Sequence, residues 1–187
     1  MIRHGEIPSN VNKVYAGRSS ERLTEKGVKQ AEEVSEKLKG LKIDALYSSP
    51  IQRALQTAWI VSEAIGIDPQ VNDTFRELEM GPWEGMSEAD IANEYPEEWS
   101  IWNSDPAKLR IEGRETLDVL QERVLSGVRN IYKEHSGGDV VIVTHVAIIR
   151  VMLLWHAKKS LNLYKTIHVP NAEIFELRID FFPSSNQ

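Results

Sequence analysis

The sequence contains no cysteine. That absence excludes disulfides, thiolate metal sites and cysteine nucleophiles, and it fits a reducing cytoplasm. No apolar run approaches the roughly 18 residues that a membrane span needs, and no signal-peptide pattern opens the chain. Basic residues are the minority: 22 Lys and Arg stand against 28 Asp and Glu, for a net charge of −6. No basic stripe is present, so neither nucleic acid nor a membrane is the expected partner. A negative surface repels anions at long range, so an anionic ligand would need a local cationic pocket. Internal repeats, low-complexity tracts and long linkers are also missing.

What is present is ordinary for a globular protein: 187 residues, 41% hydrophobic and 27% charged. That length supports one domain, 1–187, with its own core. Strand and helix patterns alternate along it. "LTEKGVKQAEEVSEKLKGL" places Val28, Ala31, Val34, Leu38 and Leu41 at helical spacing, with Thr24 to cap its start and Gly40 to end it. A short strand is predicted at about Ile43 to Tyr47. A helix follows, with Ser49 as cap, Pro50 at its first position, Ala54, Ala58, Val61 and Ile65 inward, and Gly66 as its stop.

Residues of about 82–115 read as a small insertion of short helices and loop. Thr116 to Lys133 reads as an amphipathic helix. "GGDVVIVTH" is a continuous apolar strand bounded by glycines, and "VAIIRVMLLWHA" a buried helix. "KTIHVPNAEIFELRID" supplies one or two late strands. The sum is a three-layer α/β/α sandwich with a mostly parallel central sheet.

Polar residues then stand out by position. His4 follows a strand stub, Arg53 opens a helix just after a strand, and His145 sits where a strand gives way to a helix. In open α/β sheets, ligands bind beyond the carboxyl ends of the strands. Three distant stretches therefore bring Arg3, His4, Arg53 and His145 to one rim. The helix starts beside Arg53 and His145 add N–H donors suited to an anion. This set points to a phosphoryl group.

With these motifs in order, the chain resembles the histidine phosphatase, or phosphoglycerate mutase-like, superfamily. Arg3-His4-Gly5-Glu6 with Asn10 forms the opening signature. "LTEKGVKQA", "YSSPIQRALQTA", "RELEMGPWEG", "EGRETLDVLQERV" and "VTHVAIIRVML" follow in the family's order.

The resemblance implies roles. His4 is the nucleophile that takes the phosphoryl group, which requires a neutral imidazole with one bare nitrogen. Arg3, Arg53 and His145 surround the phosphoryl oxygens. Asn10 adds a hydrogen bond, Gly17 allows close backbone approach, and Val146 offers a backbone N–H. Glu77 is the proton donor, chosen over Glu79 and Glu84 by its four-residue offset from Gly81. Glu6 fixes the loop. No metal and no cofactor are implied.

Other residues have plainer readings. Trp99 and Trp102 pack the middle segment, with a pocket lining as their alternative role. Arg18, Arg22 and Arg114 are candidate substrate contacts, though a solvated face suits them better. His135 reads as a solvated loop residue, and His156 and His168 as structural.

One departure from the family pattern is the opening strand. The family has a full apolar strand before Arg-His-Gly, in a central place in the sheet, and here only Met1 and Ile2 remain. The expectation is that the natural chain begins earlier.

The short chain and "GPWEG" favour a cytoplasmic phosphomonoesterase of the broad-specificity or alpha-ribazole phosphatase type, acting on a small phosphorylated metabolite. The alternatives are a cofactor-dependent phosphoglycerate mutase and a non-catalytic phospho-ligand binder. A homodimer is compatible with the missing strand.

Overall fold

A computed structural model describes residues 1–181. Residues 182–187, part of the expected domain, lie outside the described span. The chain opens with β1 (Ile2–Arg3) and α1 (Pro8–Asn12), followed by α2 (Glu25–Leu38), β2 (Ala45–Ser48), α3 (Gln52–Ile65) and β3 (Gln70–Val71). Helices α4 (Glu88–Glu94) and α5 (Pro96–Ser104) precede α6 (Leu117–Glu134), β4 (Val140–Thr144) and α7 (Val146–His156). A 3-10 segment, Leu161–Thr166, comes after α7.

The four strands run in the order β1-β4-β2-β3, and every pairing is parallel. Strand period two divides the interior. Ala45, Tyr47 and Ile142 face a core built with Leu120, Val124 and Val128 of α6 and Ile148, Val151 and Met152 of α7. Leu46, Val141 and Val143 face the opposite side, against Val34 and Leu38 of α2 and Ala54, Ala58 and Val61 of α3. Helices thus cover both faces, as the sandwich requires. Among the described residues no helix is long and apolar enough to cross a membrane.

Several boundaries differ from the sequence reading. Helix α2 stops at Leu38, and Leu41, expected on its buried face, is exposed. Helix α3 begins at Gln52 with Ile51 as its cap residue, so neither Ser49 nor Pro50 starts it. The Ser49 hydroxyl lies 2.7 Å from Nε2 of His145 and accepts from the Ile51 N–H at 3.3 Å, one residue before the helix begins.

The expected late strands reduce to one antiparallel bridge, Ile2 to Ile174. Part of their segment runs beside the first residues. Ala172 N–H donates to the Arg3 carbonyl at 3.0 Å, Arg3 N–H to that of Glu173 at 3.3 Å, and Phe175 N–H to that of Met1 at 2.8 Å. Short β1 is therefore held on both sides, by β4 and by this segment. The Met1 ammonium also donates to the Phe175 carbonyl, at 2.7 Å.

Candidate active site

The carboxyl ends of β1, β2 and β4 release the chain toward one rim. His4 comes directly after β1, with its N–H donating to the Thr144 carbonyl at 3.0 Å. The turn is tight because Gly5 lies against the start of α2. A Cβ on Gly5 would come within 2.3 Å of the Gly27 carbonyl oxygen, so only glycine fits. Glu6 secures the same loop, accepting from Thr24 at 3.1 Å and from Lys26 at 2.8 Å.

The His4 ring is buried, and its two nitrogens have opposite partners. Nδ1 is 2.7 Å from the Gly5 carbonyl, which can only accept. Nε2 faces the Nε–H of Arg53 at 3.1 Å, which can only donate. The proton therefore sits on Nδ1, and the lone pair on Nε2. Burial, then the charges of Arg53 and Arg3, hold this imidazole well below its usual 6.5. It is neutral at physiological pH.

Arg53, in the first turn of α3, is itself buried and held as a fork. Nη1 donates to the Ser19 carbonyl at 2.9 Å and Nη2 to the Gly17 carbonyl at 2.6 Å. Gly17 adopts φ +50, and a Cβ there would collide with the Glu84 carboxylate. Its glycine thus lets the loop turn under the guanidinium. Arg3 donates from Nη1 to the Val169 carbonyl at 2.6 Å, while its buried Nε has no partner. Burial first, then the neighbouring arginines against Glu77, pulls Arg3 down to about 10, so it stays cationic.

Glu77 follows a short 3-10 turn, Asp73–Phe75, tied to the end of β4 by the Thr144 hydroxyl donating to the Phe75 carbonyl at 2.8 Å. Its own carboxylate accepts from the Leu78 N–H at 2.8 Å. Burial raises its pKa above 4.5, against the opposing pull of Arg53, Arg3 and the N–H groups of Leu78 and Ala147. Neither Glu79 nor Glu84 lines the pocket that Glu77 faces.

Arg3, His4, Asn10, Gly17, Arg53, Glu77 and Val146 all line one pocket of about 380 Å³. That volume suits a small metabolite. Two donors converge on the Asn10 Oδ1, from Ile7 N–H at 3.2 Å and Asn171 Nδ2 at 2.9 Å, which leaves the Asn10 amide NH₂ as the donor end. His145 is placed differently from the rest. It is fully buried and does not form the pocket wall, yet its ring centroid is 5.2 Å from that of His4. Its Nδ1 has no partner. An unsatisfied buried nitrogen costs about 1–3 kcal/mol.

The remaining candidates divide. Arg18 is engaged by Glu79 at 2.9 Å and by the Glu77 carbonyl at 3.2 Å. Arg22 is exposed and does not line the pocket. Arg114, read as surface, is buried, with its guanidinium 5.3 Å from the Trp83 ring and 4.4 Å from that of Trp102. Trp102 reaches the pocket wall and Trp99 does not. His135 is half-buried against the Tyr47 hydroxyl at 3.0 Å, contrary to its reading as solvated.

The sequence reading missed Ser49, which holds His145, and Asn171, whose Nδ2 also lies 3.1 Å from the His4 carbonyl. It also missed Tyr15, Glu88, Arg150, Tyr164 and Lys165 on the pocket wall. Only Arg150 carried a signal: it lies four residues after Val146, on the same helical face. Among the described residues no group of three or more His, Asp or Glu is arranged to hold a metal ion.

Known proteins resemble this chain in sequence and fold. The profile of the histidine phosphatase superfamily (branch 1) matches residues 1–181. Phosphoserine phosphatase 1 of Hydrogenobacter thermophilus is 32% identical over 81% of this chain and 72% of its own length. The adenosylcobalamin/alpha-ribazole phosphatase of Escherichia coli is 23% identical over 96% of this chain and 93% of its own. The solved structure of Bacillus stearothermophilus YhfR superposes with a TM-score of 0.86 at 28% identity, over 91% of this chain and 85% of that one. A parallel sheet carrying a buried imidazole and guanidinium on its carboxyl rim, matched along nearly the full length, makes the chain a member of the histidine phosphatase superfamily, branch 1.

Proposed function

We propose that this chain hydrolyses the monoester of a small phosphorylated metabolite in two steps, through a phosphohistidine on His4. The observation that carries the reading is the polarised imidazole: Nδ1 held by the Gly5 carbonyl at 2.7 Å, Nε2 presenting its lone pair beside Arg53.

In the first step Nε2 attacks phosphorus and the bond to the leaving oxygen breaks. Glu77 gives its proton to that oxygen. The ring becomes cationic, and the Gly5 carbonyl at Nδ1–H accommodates that charge. Arg3 and Arg53 stabilise the equatorial oxygens, which is where phosphoryl transfer gains most. The orphaned Nε–H of Arg3 is a donor that a phosphoryl oxygen would satisfy, and Nδ1 of His145, protonated when Nε2 accepts from the Ser49 hydroxyl, is a second. In the second step the Glu77 carboxylate takes a proton from water, the water oxygen attacks phosphorus, and the P–N bond breaks. Inorganic phosphate leaves, and Glu77 is protonated again.

Val146 at the start of α7 supplies an N–H near the developing charge. The reading treats the chain as one domain whose 82–115 segment roofs the pocket through Glu88 and Trp102. A cysteine-free chain suits the cytoplasm as its compartment. The phosphatase names of two relatives favour hydrolysis over mutase chemistry.

The test is a rapid mix with radiolabelled p-nitrophenyl phosphate, quenched in alkali. Label is expected on the peptide containing His4 and is absent from His4→Ala. Label on another residue, or turnover in His4→Ala, overturns the reading. Isomerisation of 3-phosphoglycerate stimulated by a bisphosphoglycerate would replace the phosphatase with a mutase.

A further inference from the structure

The pocket extends past the residues that the two-step reaction uses. Arg150, Lys165, Glu88, Tyr15 and Tyr164 line its far part. On α7, Arg150 is one turn beyond Val146, and helical side chains lean toward the helix start. Its charge lies close enough to Arg3 to add to burial in lowering the pKa of that guanidinium. Nε donates to the Ile167 carbonyl at 2.9 Å and the guanidinium carbon is 5.0 Å from the Tyr164 ring, which fixes the group in place.

Ion pairing sets these two cations apart from eight of the chain's other bases. Arg18, Lys26, Lys39, Arg76, Lys108, Arg110, Arg123 and Arg129 each have a carboxylate within 4.0 Å. Neither Arg150 nor Lys165 has one among the described residues, in a chain where acids outnumber bases. Among the described residues Lys165 hydrogen-bonds the neutral Asn103 side chain and lies over the Trp99 ring at 4.6 Å. Burial lowers its pKa, with Glu88 acting to raise it and Arg150 to lower it, so all three charges share one neighbourhood. Glu88 is also bonded by the Tyr15 hydroxyl at 3.2 Å.

The charges on the wall can be counted. Arg3, Arg53, Arg150 and Lys165 are cationic; Glu77 and Glu88 are the carboxyls. With Glu77 protonated for its role as acid, the wall carries three positive charges in excess. A phosphomonoester dianion occupies Arg3 and Arg53. Glu88 offsets the Lys165 charge from beyond ion-pair contact. One positive charge, on Arg150, is left without an opposite.

We propose that the leaving group carries one carboxylate, read by Arg150 with Lys165 beside it, so that the substrate is a short phosphorylated hydroxy acid or amino acid. This rests on the hydrolytic reading above and adds to it the class of alcohol released. A neutral alcohol would leave Arg150 unanswered, and a second phosphate dianion would overfill the single remaining charge.

The experiment uses matched esters. O-phosphoserine is compared with O-phosphoethanolamine, and 3-phosphoglycerate with glycerol 3-phosphate, each pair differing by the carboxylate. The wild-type kcat/KM ratio within each pair is expected to exceed about tenfold, one bidentate Arg–carboxylate contact being worth that much. In Arg150→Met both ratios fall toward one, and Arg150→Lys restores part of them. Thermal melts of both variants establish that they are folded. Wild-type ratios near one, with phosphate released from all four esters, overturn the carboxylate site while leaving hydrolysis intact. So does a folded Arg150→Met that keeps the preference. Failure to release phosphate from these esters and from p-nitrophenyl phosphate overturns hydrolysis and the carboxylate site together.

Discussion

Arg53 aims its Nε–H at Nε2 of His4 across 3.1 Å. The atom proposed to attack phosphorus is thus occupied by a hydrogen bond. Substrate has to take that lone pair from the guanidinium. A fork already anchored to the Gly17 and Ser19 carbonyls can pass its Nε–H to an incoming phosphoryl oxygen with little movement.

That arrangement predicts the outcome of Arg53→Lys. An ammonium keeps the charge but loses the planar fork, and with it the simultaneous grip on two carbonyls and His4. The expected loss in kcat is roughly 10²–10³-fold, comparable to removing one donor from a transition-state cradle. Steady-state kinetics on p-nitrophenyl phosphate measures it, and near-wild-type turnover would contradict the assigned role.

Glu77→Gln removes the proton that an alkoxide needs. For alkyl phosphates kcat is expected to drop by roughly 10²–10⁴-fold. Nitrophenolate leaves without protonation, so its ester loses much less in the phosphorylation step. Equal losses on both ester types, measured by single-turnover kinetics, would remove Glu77 from the acid role.

The pH dependence has a sign fixed by burial. His4 is held well below 6.5, so acidification through 6.5 leaves it neutral and nucleophilic. Glu77 is raised above 4.5, and it acts as acid only below its folded pKa. The ratio of alkyl to nitrophenyl ester kcat/KM should therefore fall as pH rises through that pKa, and phosphate titration, common to both esters, largely cancels. Glu77→Gln should flatten the ratio. A wild-type ratio that rises with pH would refute the assignment.

Gly5→Ala tests the loop that carries His4. Its new methyl would stand 2.3 Å from the Gly27 carbonyl oxygen, so backbone must shift. Overpacking of this kind costs about 1–3 kcal/mol. Urea denaturation should show that loss together with a lower kcat, and an unchanged midpoint would mean that the contact yields freely.

The residues most legible in the sequence were those at strand ends. Arg3, His4, Arg53 and His145 each sit where an apolar strand runs out, and that local pattern survives without coordinates. Glu77 follows no regular strand and needed its motif. Asn171 reaches His4 across 167 positions, and no local pattern signals so distant a partner. Tyr15, Glu88 and Lys165 converge from a loop, a short helix and a 3-10 turn, whose relative placement periodicity does not fix. Ser49 misled because its hydroxyl serves two partners, the Ile51 N–H just before the helix and Nε2 of His145. Arg114 misled because its burial depends on two indoles folding over it. One or two late strands were expected, and among the described residues a single bridge, Ile2 to Ile174, forms there.

The roof segment has a consequence for engineering. Glu88 and Trp102 come from α4 and α5, whereas the groups proposed to handle phosphorus hang from the sheet rim and Arg150 shares α7 with Val146. One side of the alcohol's surroundings is thereby written in a stretch of chain separable from the proposed chemistry, and the other side is not. A library at exposed positions between 88 and 104, with buried Ile91 and Trp102 kept, would retune which metabolite is turned over while leaving the sheet-rim residues in place.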